Sequence, residues 1–509
     1  MAATTSSKQR LRERYDWVVL GDHPGALLSG CLAAKMGCSV LILSLAPSMK
    51  RVQTEDGQVL DFEPNDLIGL SRGEGKIALL SECLNRLGVT GAELESHFSS
   101  DVDLQVVTPQ ARLVFASGGS ASSLQPSEFR RELGAEKSRK LGLFEAFESF
   151  SPEIESFWES FLRRPEDYEG LAVPSKKTIK NRKGAKHESV RLWASPKGRA
   201  SDLAEFLNTR EIQEVFKALD YAIAGQVSED PELEKMLHLL FLSRIRASFR
   251  GGLTAYREFL LSLAAKQGAH VPDEADCRRI FVDHGEFVGV QIANHGNMIG
   301  AESAVLGCPL EQALKRVVAG GGGMAQVEHA KKRVIPTGWK FSISLTIHAE
   351  GVPPGVTPKT IWQEPSAPPL EIEMIESPKN AKHRVILART ILPMVAESFE
   401  PDFQRLVAAR IFKKLTEIFP FLEFHLVRMY PDFREDDLKA VYGGITLDQL
   451  PGNFLCYSGE GLGSETGIRK MYSASAESYP GLGSLGATVA GIKSLASFAK
   501  RLGVAAPLS

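Results

Sequence analysis

Residues 17–43 hold the feature that most constrains the fold: a strand, a tight turn, a helix and a second strand. An apolar run leads into the turn Gly-Asp-His-Pro-Gly-Ala at 21–26. Residues 27–36 predict a helix with small side chains on one side, and Gly37 follows where a left-handed cap is favoured. Ser-Val-Leu-Ile-Leu at 39–43 predicts the second strand. A helix between two such strands makes them a parallel pair, so the sequence predicts a βαβ unit.

The turn of this unit has the spacing of a phosphate-binding turn. In such a turn the first small residue allows the tight bend, the second lets the backbone approach a pyrophosphate, and the third lets the helix pack on the strand. Free N–H groups and the positive end of the helix dipole attract the phosphates. Here the three positions hold Gly21, His23 and Ala26, with Gly25 beside the last. Ala26 is permitted, but the ring of His23 fills the phosphate position unless it swings aside.

The end of the second strand departs from the same pattern. Ser44 stands where an acid normally accepts hydrogen bonds from ribose hydroxyls, and a hydroxyl is a weaker acceptor than a carboxylate. Either the unit binds a nucleotide through altered contacts, or it has kept its fold and lost its ligand. A further alternative is NADP, since Ser44, Ser48, Lys50 and Arg51 would suit a 2′-phosphate. His23 obstructs that pyrophosphate equally.

The remainder of the chain predicts further elements of both types. Residues 141–249 have helical spacing, with one long helix at 232–249, and this region is expected to be an insertion. A hairpin is predicted around Gly285. Residues 339–348 and 383–392 alternate in the manner of antiparallel strands. Helices are also predicted at 252–267, 401–419 and 487–502.

Six segments of the chain resemble, in order, those of phytoene desaturase-like and amine oxidase-like flavoproteins. The segments are 15–43 (the first βαβ), 49–54 (a Gly-Gly-Arg segment), 61–64 (an Asp-aromatic-Gly-Pro segment), 250–253 (a Gly-Gly-Met helix start), 279–290 (the hairpin near adenine) and 479–487 (a Pro-Gly-rich turn). Each motif is weak alone. Their order and spacing over the whole chain carry the resemblance.

The resemblance implies the fold class and the domain order. The fold class is α/β: a Rossmann-like FAD/NAD(P)-binding domain with a mixed sheet, plus an antiparallel-sheet substrate domain and a helical insertion. The predicted division is 1–110 (FAD-binding domain, first part), 111–249 (helical insertion and substrate domain, first part), 250–325 (FAD-binding domain, second part), 326–450 (substrate domain, antiparallel sheet) and 451–509 (FAD-binding domain, C-terminal part).

The resemblance also implies FAD as the cofactor. The residues that would hold it are Gly21, His23, Gly25, Ala26, Ser44, Arg51, Arg279, Gly481, Leu482, Gly483, Ser484, Leu485 and Gly486. The last six belong to a turn that would contact the flavin and the pyrophosphate through N–H groups at a second helix start. They also spell GxGxxG, but one helix follows them and no second strand, so they do not form a second complete dinucleotide unit.

An FAD-dependent oxidoreductase acting on a hydrophobic or amine substrate is therefore expected. The flavin would carry the hydride chemistry, and no side chain is marked as catalytic. The alternative is a non-catalytic pseudoenzyme of the same fold that has lost FAD and serves as a binding or assembly module. The expected partners are a small hydrophobic substrate and a protein or quinone electron acceptor. Residues 412–424, which are rich in Phe, favour a packed helix over a peripheral membrane contact. The GxSxG at 69–73 follows a poor strand and is interpreted as chance.

Composition excludes several other classes. The chain has 509 residues, 43% of them hydrophobic, which is ample for a large core. Its net charge of -2 gives no basic field for nucleic acid. The six cysteines include no CxxC pair, so neither a zinc site nor any other metal site is predicted. No apolar run reaches the roughly 18 residues of a membrane span. The expected location is cytoplasmic.

Overall fold

The computed structural model describes residues 11–45, 66–68, 79–99, 103–115, 156, 210–226, 233–272, 276–293, 295–320, 327–328, 331–365, 367–376, 380–432, 455–458 and 461–504. Three segments singled out in the sequence lie outside these ranges. They are 49–54, which includes Arg51, then 61–64, and the GxSxG at 69–73.

Strands and helices alternate along the described chain. The strands are β1 (Arg14–Gly21), β2 (Val40–Leu43), β3 (Asp66–Ile68), β4 (Phe98–Ser99), β5 (Leu104–Val107), β6 (Arg112–Phe115), β7 (Arg246–Phe249), β8 (Cys277–Asp283), β9 (Glu286–Ile292), β10 (Ile299–Gly307), β11 (Val317–Gly320), β12 (Ile335–His348), β13 (Lys359–Trp362), β14 (Leu370–Glu376), β15 (His383–Pro393), β16 (Leu426–Tyr430), β17 (Leu455–Ser458) and β18 (Met471–Ser473). The helices are α1 (Pro24–Lys35), α2 (Leu79–Arg86), α3 (Gly91–His97), α4 (Arg210–Ala224), α5 (Leu233–Arg244), α6 (Gly252–Lys266), α7 (Leu310–Leu314), α8 (Pro401–Ile418), α9 (Leu422–His425) and α10 (Gly483–Leu502).

A mixed seven-stranded sheet contains the predicted βαβ unit. Its order is β11-β8-β9-β10-β1-β2, with β18 paired to β10. β1 runs parallel to both β2 and β10, and the residues of β2 are all buried, as expected of a strand covered on both faces. The hairpin predicted around Gly285 is β8 and β9, which are antiparallel. Its turn residues, His284 and Gly285, have φ of +47° and +73°, the left-handed values that tight hairpin turns require.

A second sheet has eight strands and is mostly antiparallel. Its order is β16-β12-β15-β14-β13-β5-β6, with β17 paired to β12. β12 and β15 pair in full register, with Trp339 opposite Leu392 and His348 opposite His383, which confirms the predicted antiparallel pair. Helix α8, predicted at 401–419, packs its buried residues into the apolar core of this sheet. The molecule is therefore a mixed α/β protein built on two large sheets.

The long helix predicted at 232–249 is wrong in its last part. Helix α5 ends at Arg244, and residues 246–249 form β7, which pairs with β3 and β4 in a small sheet. The poor strand expected before residue 69 is likewise a real strand, β3, because β7 supplies its hydrogen-bond partner. Helical spacing alone cannot reveal pairing between segments so far apart in sequence.

Helix α1 is central to the core and lies against both α6 and α10. All of its residues except Lys35 are buried, so it has no polar face to speak of. Its small residues allow close approach: a Cβ on Gly30 would lie 2.8 Å from the side chain of Val19 on β1. The small side chains seen in the sequence therefore serve helix packing on three sides.

Helix α10 begins at Gly483, four residues before the predicted start. The segment Pro480–Leu502 has the length and apolar composition of a membrane span, but 83% of its apolar window is buried within the protein, where it packs on α1. It is a core helix. In the Phe-rich stretch, Phe419 is buried, whereas Phe421 and Phe424 are exposed.

Candidate functional site

The first turn, residues 21–26, joins β1 to α1 at the carboxyl edge of the mixed sheet. Gly21 has φ of +109°, and a Cβ there would lie 2.5 Å from the carbonyl oxygen of Gly307 on β10. The N–H of His23 donates to that same oxygen at 3.1 Å. Position 21 therefore requires glycine, and the turn is anchored to the neighbouring parallel strand.

The imidazole of His23 caps the start of α1. Its Nδ1 accepts a hydrogen bond from the N–H of Gly25 at 3.4 Å. Pro24 has no N–H, and the N–H groups of Ala26 and Leu27 both donate to the carbonyl oxygen of His23. Among residues 23–27, Gly25 thus has the one N–H that no backbone oxygen accepts. That N–H is the donor a phosphate would need, and the imidazole accepts it.

A buried arginine lies beside this turn, and the sequence motifs did not mark it. The side chain of Arg257 on α6 is 7% exposed, and its Nε lies 3.9 Å from Oδ2 of Asp22, whose side chain is 69% exposed. Burial, and then the charge of Arg257, lowers the pKa of His23 to about 3. The imidazole is therefore neutral at physiological pH, and Arg257 supplies the positive charge at the turn.

The second turn, residues 479–487, leads into α10. The N-cap residue is Leu482, whose side chain cannot accept a hydrogen bond from the first N–H groups of the helix. Gly481 is half-buried and has open space where a Cβ would point. Gly483 lies against α4, since a Cβ there would be 2.1 Å from the carbonyl oxygen of Ile223. The start of α10 is open on the Gly481 side and covered on the Gly483 side.

The two turns meet in space. A Cβ on Gly25 would lie 2.3 Å from the carbonyl oxygen of Ala487, and a Cβ on Gly491 would lie 2.3 Å from that of Gly25. The backbones of α1 and α10 are therefore in contact near their N-termini. This arrangement brings the predicted residues of both turns together: Gly21, His23, Gly25 and Ala26 with Gly481, Leu482, Gly483, Ser484, Leu485 and Gly486.

Ser44 and Arg279 lie together at a different place, where β2 ends. The carbonyl oxygen of Ser44 accepts the N–H of Cys277 at 2.8 Å, and Ser44 forms a parallel bridge with Asp276. Arg279 follows on β8 and is exposed. The structure thus places an acidic residue, Asp276, beside the position where the sequence lacks the ribose acid.

A charged cluster is buried in the second sheet, and the sequence analysis did not find it. Oε1 of Glu371 on β14 lies 3.1 Å from Nζ of Lys359 and 3.2 Å from Nη1 of Arg389. Arg389 also lies 2.7 Å from Glu373. Burial would raise the pKa of Glu371, but the charges of Lys359 and Arg389 outweigh it and hold the pKa at about 2. The available signal was a charged residue inside the apolar strand predicted at 383–392.

Lys340 lies next to this cluster and joins it to α4. Its side chain is almost fully buried, and among the described residues its Nζ has no hydrogen-bond partner. Nζ lies 5.3 Å from the centre of the Tyr221 ring on α4. Burial lowers the pKa of Lys340, and the charge of Glu371 opposes that effect. Because α4 also covers Gly483, the cluster lies on the second-sheet side of the two turns.

Metal and thiol chemistry have no candidate site within the described ranges. No three His, Cys, Asp or Glu side chains there are grouped closely enough to hold a metal ion. Burial raises the pKa of both Cys31 and Cys83 to about 12. These thiols are therefore protonated and serve as small core residues.

The geometry of the two turns fits a flavin nucleotide, with one adjustment. The half-buried Gly481 leaves space at the start of α10, and Arg257 places a cation beside the first turn. The imidazole of His23 has to rotate away from Gly25 before that N–H can meet a phosphate. The bond to be broken is long, at 3.4 Å, and hence weak.

The two sheets, the βαβ unit and the paired helix starts give the chain the fold of the FAD-binding amine oxidases. Putrescine oxidase bound to putrescine is similar, with a TM-score of 0.54 and 13% identity over 96% of this chain and 99% of that chain. An oxidoreductase from Methanosarcina mazei has a TM-score of 0.56 and 12% identity, over 92% of this chain and 99% of that chain. Cyclohexylamine oxidase from Brevibacterium oxydans has a TM-score of 0.50 and 13% identity, over 96% and 99%. No protein-family model matches the sequence, and no curated protein sequence does.

Proposed function

We propose that this protein is an FAD-dependent oxidoreductase acting on an amine or hydrophobic substrate. The observation that carries the proposal is the contact between the N-terminal parts of α1 and α10, two helices from opposite ends of the chain. Two helix starts directed at one region attract an anionic diphosphate more strongly than one. The similarity of fold to amine oxidases supports the same assignment.

The residues that would hold the nucleotide come from both turns and from α6. The N–H of Gly25, once free of the imidazole, would donate to one phosphate, and Arg257 would supply positive charge. The N–H groups at the start of α10 would face the rest of the diphosphate or the flavin. Asp276, next to Ser44, would be the ribose acceptor. When bound, the flavin supplies the hydride acceptor, and the protein supplies orientation and exclusion of water.

The electron acceptor in this proposal is oxygen, a quinone or a protein partner. The second turn does not belong to a complete second dinucleotide unit, so a reductase architecture with two nucleotides has no support. NADP in place of FAD is the less favoured alternative, because His23 blocks its pyrophosphate as well.

A second candidate function is favoured by a specific observation, the hydrogen bond from Gly25 to His23. If the imidazole keeps that N–H, the first turn has no donor for a phosphate. The chain would then be a non-catalytic pseudoenzyme of the amine oxidase fold that serves as a binding or assembly module.

The visible absorbance of purified protein separates the two candidates. An oxidoreductase is expected to be yellow, or to become yellow after incubation with FAD and removal of the excess. The flavin released on denaturation should be FAD at close to one per chain. Protein that is colourless and retains no added FAD would leave the pseudoenzyme as the assignment.

A further inference from the structure

A cavity of about 340 Å³ opens where the first sheet meets the second. It lies between α7, the segment leading into β12, and β17. Its lining residues are Pro309, Leu310, Glu311, Gln312, Lys315, Lys331, Val334, Pro336, Leu455, Tyr457, Leu462 and Glu477. This volume is enough for a small organic molecule.

A buried carboxyl group, that of Glu477, is the main polar feature of the cavity. Glu477 is 5% exposed, and its Oε1 accepts the N–H of Leu310. Within the described part of the chain, no lysine, arginine or histidine lies within ion-pair distance of it, and Oε2 has no hydrogen-bond partner. Burial raises the pKa of Glu477 to about 8, the Leu310 N–H opposes the rise, and the charge of Glu311 adds to it. The free protein thus lacks the cation that this carboxylate needs.

A second polar group in the cavity also lacks a partner. Tyr457 is 6% exposed, and its hydroxyl has no hydrogen-bond partner among the described residues. Its backbone is held in place, since its carbonyl oxygen accepts a hydrogen bond from Gln226 and its strand pairs with β12. Leaving a buried hydroxyl unsatisfied costs about 1–3 kcal/mol, so a ligand that hydrogen-bonds to it gains affinity.

The charges of the lining residues differ between the interior and the rim. Glu477 and Tyr457 are buried, whereas Lys315 is exposed and Lys331 is half-exposed. Lys331 is paired with Glu328 at 3.0 Å. A ligand that brings one positive charge and several N–H donors to the interior satisfies both buried groups. A second cationic end would meet the lysines at the rim.

The cavity is next to the nucleotide site. Cys308 lies between them in sequence, after Gly307 of the first turn's anchor and before Pro309 of the cavity. The charges of both Glu477 and Asp22 act on the Cys308 thiol. A ligand in the cavity would therefore lie close to the first turn.

We propose that this cavity binds the ammonium group of a primary monoamine, with the Glu477 carboxylate as its ion-pair partner and the Tyr457 hydroxyl as a hydrogen-bond acceptor. A primary ammonium has three N–H donors, so it can bond to both groups, and the phenol ring adds a cation–π attraction. The inference rests on the proposed function only for turnover. It selects an amine over the neutral hydrophobic substrate.

Calorimetric titration of the full-length protein with benzylamine tests the proposal, with benzyl alcohol as the neutral analogue. Binding at pH 7 is measured in phosphate and in HEPES, whose ionisation enthalpies differ. Glu477 is mostly protonated in the free protein at pH 7 and must ionise to pair with an ammonium. We therefore expect release of about one proton per benzylamine bound. Benzyl alcohol should bind at least about tenfold more weakly and release none.

Three variants complete the test. In Glu477→Gln, benzylamine affinity should fall by about tenfold or more and proton release should vanish, whereas Tyr457→Phe should weaken binding a few-fold and keep the proton release. Glu397→Gln, on an exposed surface segment, is the matched control and should change neither. Equal affinity for benzyl alcohol, or unchanged affinity in Glu477→Gln, would overturn the proposal. If Glu477→Gln does not fold, the proton release of the unmodified protein and the Tyr457→Phe result decide.

The outcomes also separate this inference from the proposed function. Benzylamine binding with proton release in protein that takes up no FAD would keep the amine site and reject the oxidoreductase. FAD binding without benzylamine binding would do the reverse.

Discussion

Replacement of His23 by glycine tests how the first turn controls nucleotide binding. The imidazole accepts the N–H of Gly25, which is the donor that α1 could offer to a phosphate. The backbone of His23 has φ of -63° and ψ of 132°, which any residue can adopt. Glycine is also tolerated at the start of a helix, so the substitution should cost a few tenths of a kcal/mol in stability.

The expected gain in FAD affinity follows from the bonds exchanged. The N–H to Nδ1 bond is 3.4 Å long and weak, and the ring is neutral because its pKa is lowered to about 3. A hydrogen bond from the same N–H to a phosphate oxygen is charge-assisted and contributes about 1.5–3 kcal/mol. His23→Gly should therefore strengthen FAD binding by about tenfold, and by about a hundredfold at most.

The assay is a titration of FAD-free protein followed by quenching of flavin fluorescence. His295→Gly, which removes an exposed histidine after β9, is the matched control and should leave the FAD affinity within about twofold. If His23→Gly binds FAD no better than the unmodified protein, the imidazole is not the obstruction. The argument from the first turn is then refuted.

Three further predictions concern stability and are checked by thermal or urea unfolding. Gly25→Ala places a Cβ about 2.3 Å from the Ala487 carbonyl oxygen and should lower the free energy of unfolding by about 3 kcal/mol, whereas Gly91→Ala, where the space is open, should be nearly neutral; similar losses in both would contradict the packing argument. Glu371→Gln leaves two buried cations without their shared carboxylate and should cost about 3 kcal/mol; a neutral result would mean that the cluster is not buried as described. Glu477 has a raised pKa of about 8 against a usual 4.5, so between these values the unfolded chain has lost a proton that the folded chain keeps, and stability falls as pH rises. Glu477→Gln should remove up to about 4 kcal/mol of that loss and raise the Tm more at pH 8 than at pH 5; an equal shift at both would place the titration elsewhere.

Much of the fold could be predicted because its signals are local in sequence. The βαβ unit, the hairpin at Gly285 and the pairing of β12 with β15 follow from apolar patterns and glycine turns. The prediction for 246–249 failed because the partners of β7 are distant strands. The domain boundaries, the electron acceptor, the cytoplasmic location and the membrane contact remain predictions.

The site was predicted less completely than the fold. The two turns were identified from their glycines, and the structure brings them together. Arg257, Asp276 and Glu477 carried no motif, because each gains its role from a residue far away in the chain. Arg257 acts on Asp22, Asp276 lies beside Ser44, and Glu477 accepts the N–H of Leu310.

The sequence by itself determined which elements form, since turns, caps and apolar periodicity depend on neighbouring residues. Only the tertiary structure decided what those elements present to a ligand. It turned the His23 imidazole onto Gly25, placed Arg257 beside the same turn, and enclosed Glu477 without a cation. The physical reason is that hydrogen-bond partners, burial and charge neutralisation depend on distances in space between residues that the chain order keeps apart.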